Sequence, residues 1–556
     1  MSADHQSVAA AIPDRLWTLR LHVSGAKGFR RAAIAFGAGA VSVLAFAPFF
    51  LWPVLFVTFP VLVWLIDGAE VPEGHRERLR RAALDGWWFG FGFFFAGLFW
   101  IGEAFLVEAD KFGWALPFAV TLMPAGLALF WSLATVTARA FWRPGAGRLV
   151  LLALTLACAE WMRGHVLTGF PWNTIGYALT HPLLFMQSAG LLGIYGLTLW
   201  AVIIFAAPLV LAGDRPSGPE RHRALATGLV IALAPLVVLG LYGSLRLWSG
   251  PPPDVPGVRL RIVQPSVPQR EKWQPENQGP IFRDHLDLSR RNPAGLVDDL
   301  AGITHVVWPE AAMPFLPLEH PEALSAIGDL LPPGTFLLTG ALRREPIPEE
   351  QRTDAQRAYR AFNSLMVFDD AGALASVYDK THLVPFGEYL PLQPLLESIG
   401  LEQLTRLRGG FTEGPAGQPL ITAGALPAGG GLICYEAIFP GLIIGQKPQL
   451  LINVTNDGWF GNTTGPRQHF HQARTRAVEL GVPLIRAANN GISALVDPYG
   501  RVVAKLNLNG RGVIDVQVPA VAPAPLYALY GDWIFALNAL ILLALWVVTQ
   551  TRGATR

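Results

Sequence analysis

A chain of 556 residues is longer than one ordinary domain core can organise. Hydrophobic residues make up 52% and charged residues only 15%, with a mean hydropathy of +0.36, which excludes a purely soluble, highly charged protein and predicts membrane segments. The net charge of +2 gives no reason for a nucleic-acid partner, and two cysteines cannot build a disulfide framework.

Apolar runs near the spanning length of about 20 residues dominate the first half. They lie at 31–48, 50–67, 86–106, 115–137, 148–163, 184–212 and 224–246, and one more follows at 527–549. The run 148–163 is short, and 184–212 is long enough to bend or tilt. Cys158, inside the fifth run, reads as a small buried hydrophobe. The first run has no small-residue cleavage site and another follows at once, so it reads as a span rather than a signal peptide.

The connections alternate in charge. Arg15, Arg20, Lys27, Arg30 and Arg31 precede the first run, and the next connection, around APFF, has no basic residue. EGHRERLRR then supplies Arg76, Arg78, Arg80 and Arg81, followed by the acidic Glu103, Glu108 and Asp110 against Lys111 alone. Arg139, Arg143 and Arg148 come next, then Arg163 alone, then Arg215, Arg221 and Arg223. The positive-inside rule therefore predicts a cytoplasmic N-terminus. Seven crossings carry 250–525 to the far side, and the final span returns Arg552 and Arg556 to the cytoplasm.

PPPDVPG, at 251–257, marks a linker. Beyond it the chain shortens its period. VRLRIVQ, HVVWPE, TFLLTGAL, SLMVFDDAGALASVYD, GLICYE, QLLINVTND, PLIRAANN, ISALVDPYGRVVA and GVIDVQV read as strands, with DDAG and DPYG as hairpin turns. NQGPIFRDHLDLSRR and HFHQARTRAVELG read as helices between them. Alternating strands and helices predict an α/β domain, and the hairpins predict mixed sheets.

Three ionisable residues follow strand ends, where a rigid sheet holds functional loops. Glu310 follows HVVWP, Lys380 follows ASVYD, and Cys434 follows GLI. A free thiol with a pKa near 8.5 is only a few per cent thiolate at neutral pH. A neighbouring carboxylate can take its proton, and an ammonium group can stabilise the thiolate and then the oxyanion of a tetrahedral intermediate. No histidine is needed. His469 and His471, two apart at a helix start with no cysteine or acidic partner at zinc spacing, make a poor metal pair. No phosphate-binding glycine loop is present.

WPE at 308–310, YDKTHLVPFGEYLP at 378–391, ICYE at 433–436 and NVTNDGWFG at 453–461 resemble the nitrilase, or carbon-nitrogen hydrolase, superfamily. With GFPWN at 169–173 and RIVQPSVPQREKW at 261–273, the chain is most similar to the membrane-bound apolipoprotein N-acyltransferase family, along nearly its whole length. That resemblance implies a multi-span α-helical membrane protein with about eight transmembrane helices, carrying an extracytoplasmic α/β domain built as a nitrilase-like α-β-β-α sandwich. The domains expected are 1–250 (seven transmembrane helices), 251–525 (periplasmic and catalytic) and 526–556 (a C-terminal transmembrane helix and cytoplasmic tail), in a bacterial inner membrane.

The resemblance also implies a Glu310, Lys380, Cys434 triad, with Glu388 supporting the lysine and cysteine. Tyr435 and Glu436 flank the nucleophile, and Asn363 stands where a polar site residue is expected. Trp273 and Trp459 match aromatic positions linked to substrate access, although tryptophan also anchors at the headgroup level. The expected reaction moves a fatty acyl chain from a phospholipid, expected to be phosphatidylethanolamine, to Cys434 as a thioester. The chain then passes to the N-terminal amine of a diacylated apolipoprotein. No cofactor is expected, and the protein is expected to be a monomer. A membrane-tethered amidase releasing the acyl group to water, and a lipid or lipoprotein carrier with a decayed catalytic domain, are the competing readings. The stretch 392–416 reads as a lid or membrane-dipping arm.

Overall fold

The computed structural model describes residues 15–68, 74–215, 218–352, 358–398 and 410–554, so 399–409, the middle of the expected lid, lies outside the described residues. The chain divides into two compact units. One comprises residues up to Phe99, Pro117–Trp248 and the chain from Tyr530; the other comprises Trp100–Leu116 and Ser249–Leu529.

All eight apolar runs contain helix. Among the described residues, five helical stretches are long and apolar enough to cross a bilayer: Gly28–Ala45, His75–Leu106, Ala109–Ala140, Ser188–Gly213 and Pro219–Trp248. Trp52–Asp67 and Trp533–Val548 are shorter apolar helices, and Gly147–His165 is a further helix of 19 residues. This last helix is less apolar because it carries Arg148, Glu160 and Arg163, all buried, while Cys158 on the same helix is exposed rather than buried as expected. Buried charge is tolerated only when paired and hydrogen-bonded. Arg163 pairs with Glu160, which also accepts from Trp131 Nε1 at 2.6 Å. The Arg163 guanidinium donates onward to the carbonyls of Phe170 and Trp172, which fixes the GFPWN loop.

Several arginines counted in the loops are likewise committed to partners. Arg31 is buried against Asp85 at 2.6 Å, and Arg148 bonds Asp214 at 2.7 Å and Asp67 at 3.3 Å.

The second unit has two six-stranded mixed sheets. The first contains β1 (Asp254–Gln264), β2 (His305–Trp308), β3 (Phe336–Pro346), β4 (Tyr359–Phe368), β5 (Leu374–Asp379) and β12 (Gly512–Pro519), in the order β12-β1-β2-β3-β4-β5. The second contains β6 (Ile421–Ala423), β7 (Leu426–Ile433), β8 (Leu450–Thr455), β9 (Leu484–Ala488), β10 (Ala494–Val496) and β11 (Val502–Lys505), in the order β11-β10-β9-β8-β7-β6. Each has a parallel centre, β1-β2-β3 and β7-β8-β9, flanked by antiparallel strands.

Alternation along the strands decides the layers. Leu260, Ile262, Val307, Leu338 and Leu365 meet Ile433, Ile452, Val454 and Ile485 in the core between the sheets. The neighbouring residues Val263, Val306 and Leu337 point the other way, onto helices Gln278–Ser289 and Pro321–Leu330. On the outer face of the second sheet, Leu451 and Leu484 pack on Ala473 and Ala477 of helix Gly465–Leu480. The result is the α-β-β-α sandwich. DDAG and DPYG are turns, closed by Gly372 N–H to Asp369 O at 3.0 Å and Gly500 N–H to Asp497 O at 2.9 Å.

Residues 100–116 join this unit rather than the apolar run in which part of them was expected. Trp100 Nε1 donates to Gln468 Oε1 at 3.2 Å, its ring packs on Phe460 at 4.5 Å, and Arg270 donates to the Leu106 carbonyl at 2.8 Å.

Candidate active site

Glu310, Lys380 and Cys434 each stand just past the C-terminal end of a strand: β2, β5 and β7. At Glu310 the chain is pinned to β3, where Gly340 N–H donates to Pro309 O at 3.1 Å and Ala312 N–H to Gly340 O at 2.9 Å. A Cβ at position 340 would lie 2.4 Å from Glu310 Cα, so only glycine allows this approach. Lys380 is held by its own N–H on Asn363 O at 2.9 Å and by Gly414 N–H on its carbonyl at 2.8 Å.

Cys434 has φ +50 and opens the short helical turn Cys434–Ile438. A left-handed non-glycine residue costs of order 1–3 kcal/mol and persists only where its surroundings enforce it. Two contacts do so. Glu436 Oε2 accepts from Ile433 N–H at 2.7 Å, and His469 Nε2 lies 3.0 Å from the Cys434 carbonyl oxygen.

The charged groups form one buried network. Lys380 Nζ lies 2.8 Å from Glu388 Oε2, which also accepts from Val384 N–H at 2.8 Å. Asn363 Nδ2 donates to Glu310 Oε1 at 2.8 Å and to Glu388 Oε1 at 3.0 Å, so one amide joins the two carboxylates. Burial pushes the Cys434 thiol well up from its ordinary range, and the Glu310 charge adds to this while Lys380 opposes it. For Lys380, burial alone would lower the pKa, but Glu388 and Glu310 outweigh it and the ammonium group is held firmly protonated. Each of the three residues thus lies within electrostatic reach of the other two.

Glu436 is fully buried and serves the frame. Its Oε1 accepts from Tyr378 Oη at 2.9 Å, Thr381 N–H at 2.8 Å, Thr381 Oγ1 at 2.8 Å and His382 N–H at 3.1 Å. These bonds tie the loop after β5 to the turn that starts at Cys434. Tyr435 packs its ring on Phe439 at 5.0 Å and His382 at 5.8 Å. Trp273 and Trp459 are half-buried. Trp273 lines a largely apolar cavity of about 130 Å³ with Phe315, Leu342 and Tyr359, while Trp459 belongs to the turn Asp457–Phe460.

Sequence reasoning passed over Lys272 and the true place of His469. Lys272 is 2% exposed and its Nζ donates to the Glu310 carbonyl oxygen at 3.0 Å. Burial brings its pKa down to about 8, against the opposing charges of Glu310 and Cys434. In the charged run QREKW it looks like any solvated lysine; the adjoining Trp273 was the one available signal.

His469 sits between the Cys434 carbonyl and Asp457 Oδ1, the latter at 2.8 Å. Arg486 Nη2 donates to Asp457 Oδ2 at 2.7 Å. Although burial opposes it, Arg486 and His469 hold the Asp457 carboxyl down at about 2.

Two family models match the chain: the apolipoprotein N-acyltransferase N-terminal domain over residues 38–207, and carbon-nitrogen hydrolase over residues 298–524. A Rhodopseudomonas palustris protein named apolipoprotein N-acyltransferase is 48% identical over 520 residues, covering 93% of this chain and 94% of its own. One of the same name from Bradyrhizobium diazoefficiens is 46% identical over 540 residues, covering 97% and 98%. Among solved structures, an amidase from Nesterenkonia sp. AN1 aligns with 49% of this chain and 93% of its own, at 18% identity and a TM-score of 0.33.

Proposed function

The chain belongs to the apolipoprotein N-acyltransferase family, and from that membership we propose that it transfers a fatty acyl chain from a phospholipid to the N-terminal amine of diacylglyceryl-cysteine on apolipoproteins. The reaction runs in two halves through Cys434. Glu310 takes the thiol proton, and the thiolate attacks the ester carbonyl of the phospholipid. Lys380 stabilises the oxyanion as the C–O bond breaks. Glu310 returns its proton to the leaving alkoxide, lysophospholipid departs, and a thioester remains. The α-amine of the acceptor then attacks the thioester and gives its proton to Glu310. The C–S bond breaks, the amide forms, and the thiolate recovers a proton.

The observation that carries this reading is the single amide of Asn363, bonded at once to Glu310 and to Glu388, the carboxylate that holds Lys380. Base and ammonium group are thereby positioned by one element around a thiol that burial keeps protonated until a base acts. Glu388, Tyr435 and Glu436 are read as supporting residues, and Trp273 and Trp459 as contacts for the lipid chains. No step calls for a metal or cofactor.

The domains read as 1–250 and 526–556 for the membrane part and 251–525 for the catalytic part, with residues 100–116 grouped with the catalytic part. Phosphatidylethanolamine is the proposed donor, a monomer the working unit, and the bacterial inner membrane the site. Catalysis is assigned to the periplasmic side and both termini to the cytoplasm. The alternation of basic and non-basic connections supports that orientation. Both substrates are lipid-anchored, and extracting a chain costs about 0.8 kcal/mol per buried CH₂, so a centre at bilayer height suits them.

Mass spectrometry of Cys434 after incubation with defined phosphatidylethanolamine is the test. A fatty acyl adduct on Cys434, discharged on adding diacylated lipopeptide, is expected. Absence of the adduct would overturn the thioester route, and discharge by water alone would favour hydrolysis.

A further inference from the structure

Lys272 is a buried cation facing Glu310 and Cys434 that the reaction scheme leaves unused. It ends the short helical turn Gln269–Lys272, directly before Trp273. Its side chain crosses to the β2–β3 region and donates to the main-chain carbonyl of Glu310 at 3.0 Å, with the residue 2% exposed. A lysine this deep is held by the groups it faces. Those are Glu310 and Cys434; His285, which also senses the Lys272 charge, is kept neutral by burial, with its pKa down at about 4.

The charge balance of the site then becomes legible. Three buried carboxylates, Glu310, Glu388 and Glu436, share the centre with two ammonium groups, Lys380 and Lys272, and Glu436 is further met by main-chain N–H groups of Ile433, Thr381 and His382. Asp457, which also acts on Cys434, is offset by Arg486. Moving a proton from Cys434 to Glu310 shifts one negative charge from oxygen to sulfur and leaves the total unchanged. Without Lys272 the same transfer would take place in a buried pocket with one positive charge fewer against its carboxylates, which disfavours every anion within it.

We propose that Lys272 is a positioning residue of the acyl-transfer centre, whose ammonium group, anchored on the Glu310 carbonyl, fixes the backbone that carries the base and supplies the second positive charge against which the thiolate forms. The inference rests on the thioester reading given above. Lys272 does its work from behind Glu310: Lys380 faces the oxyanion, and Lys272 sets the ground from which the thiolate is raised. Its own pKa near 8 lies within reach of physiological pH, so the support it gives weakens as the medium becomes alkaline.

The experiment compares full-length wild type, K272M and K272Q in detergent. The rate of Cys434 alkylation by iodoacetamide is followed across pH by peptide mass spectrometry, which separates it from Cys158. Thioester formation from phosphatidylethanolamine is measured in parallel. Glutamine keeps a donor for the carbonyl and removes the charge; methionine removes both. Both variants are expected to slow Cys434 alkylation about tenfold below about pH 8, where Lys272 is charged in the wild type, with the profiles converging above it, and to slow thioester formation about tenfold near neutral pH. The donor concentration at half-saturation is expected to stay as in the wild type.

An unmoved profile in both variants overturns the inference, as does a K272Q protein indistinguishable from wild type, since a hydrogen-bond prop alone would then suffice. If neither variant yields folded protein by thermal melting, K272R decides. A profile matching wild type supports the charge, and one slowed about tenfold overturns it. Failure of the wild type to form any thioester would sink the proposed function and leave the alkylation comparison to judge Lys272 independently.

Discussion

Lys380 Nζ and Glu388 Oε2 lie 2.8 Å apart, with side chains only 1% and 8% exposed. Removing one partner of such a pair leaves the other charge buried and uncompensated. Glu388→Gln is therefore expected to cost about 3 kcal/mol of stability and to slow thioester formation at least about tenfold. The pair raises the Lys380 pKa, so its stabilising effect is complete below the ordinary lysine value and lost only as pH rises through the raised one. Thermal unfolding in detergent should accordingly show the same deficit at mildly acidic and mildly alkaline pH; a deficit that vanished at either end would contradict the pairing.

Cys434→Ser should fold normally and fail to turn over. An alkoxide is far harder to generate than a thiolate, and loss of the nucleophile is expected to reduce acyl transfer by at least about 10³-fold. In the wild type, the raised thiol pKa means that the protonated form prevails at neutral pH and the thiolate fraction grows as pH rises. Alkylation of Cys434 should climb through the alkaline range without a plateau near neutrality, which stopped-time labelling and mass spectrometry would reveal.

Asp457 gives the fold an acid-sensitive element. Its folded pKa, about 2, lies below its ordinary value of 3.8, so it stabilises the fold fully above the ordinary value and that contribution is lost as pH falls through the folded one. The contribution at neutral pH is about 2–3 kcal/mol. Asp457→Asn should lower the melting temperature near neutrality and blunt the acid dependence between about pH 4 and pH 2. His469→Ala, which removes the contact on the Cys434 carbonyl, should slow acylation while leaving Cys434 open to small alkylating agents. An acylation rate equal to wild type would show that the strained cysteine needs no such clamp.

The proposed orientation is open to labelling in intact cells. In a background lacking Cys158, a cysteine at Arg80 should resist a membrane-impermeant maleimide and one at Lys505 should react. Both positions are exposed, so a reversed pattern would place the catalytic unit on the cytoplasmic side.

The strands of the second unit were legible because short β-rich runs and the DDAG and DPYG turns are local signals, and the structure has every strand that they marked. The short β6 was missed because ITA is too brief to show a period. Glu310, Lys380 and Cys434 could be singled out by their positions at strand ends. Their company came from the resemblance and not from the local pattern: Asn363 lies in the middle of β4, and only the antiparallel register of β3, β4 and β5 carries it to the carboxylates. Lys272 and His469 were obscured for the same reason, since their partners lie 38 and 35 residues away in the chain. The helix Gly147–His165 was read as a plain apolar run because a buried Arg163–Glu160 pair is recognisable only once both side chains face inward.

The left-handed backbone at Cys434, clamped through its carbonyl by His469, fixes the main chain from which the thiol projects. On the proposed thioester route, donor and acceptor must reach that one thiol in turn, and the spent lysolipid has to leave before the second lipid arrives. On that route excess donor is expected to crowd out the acceptor, and each substrate to inhibit the half-reaction that belongs to the other.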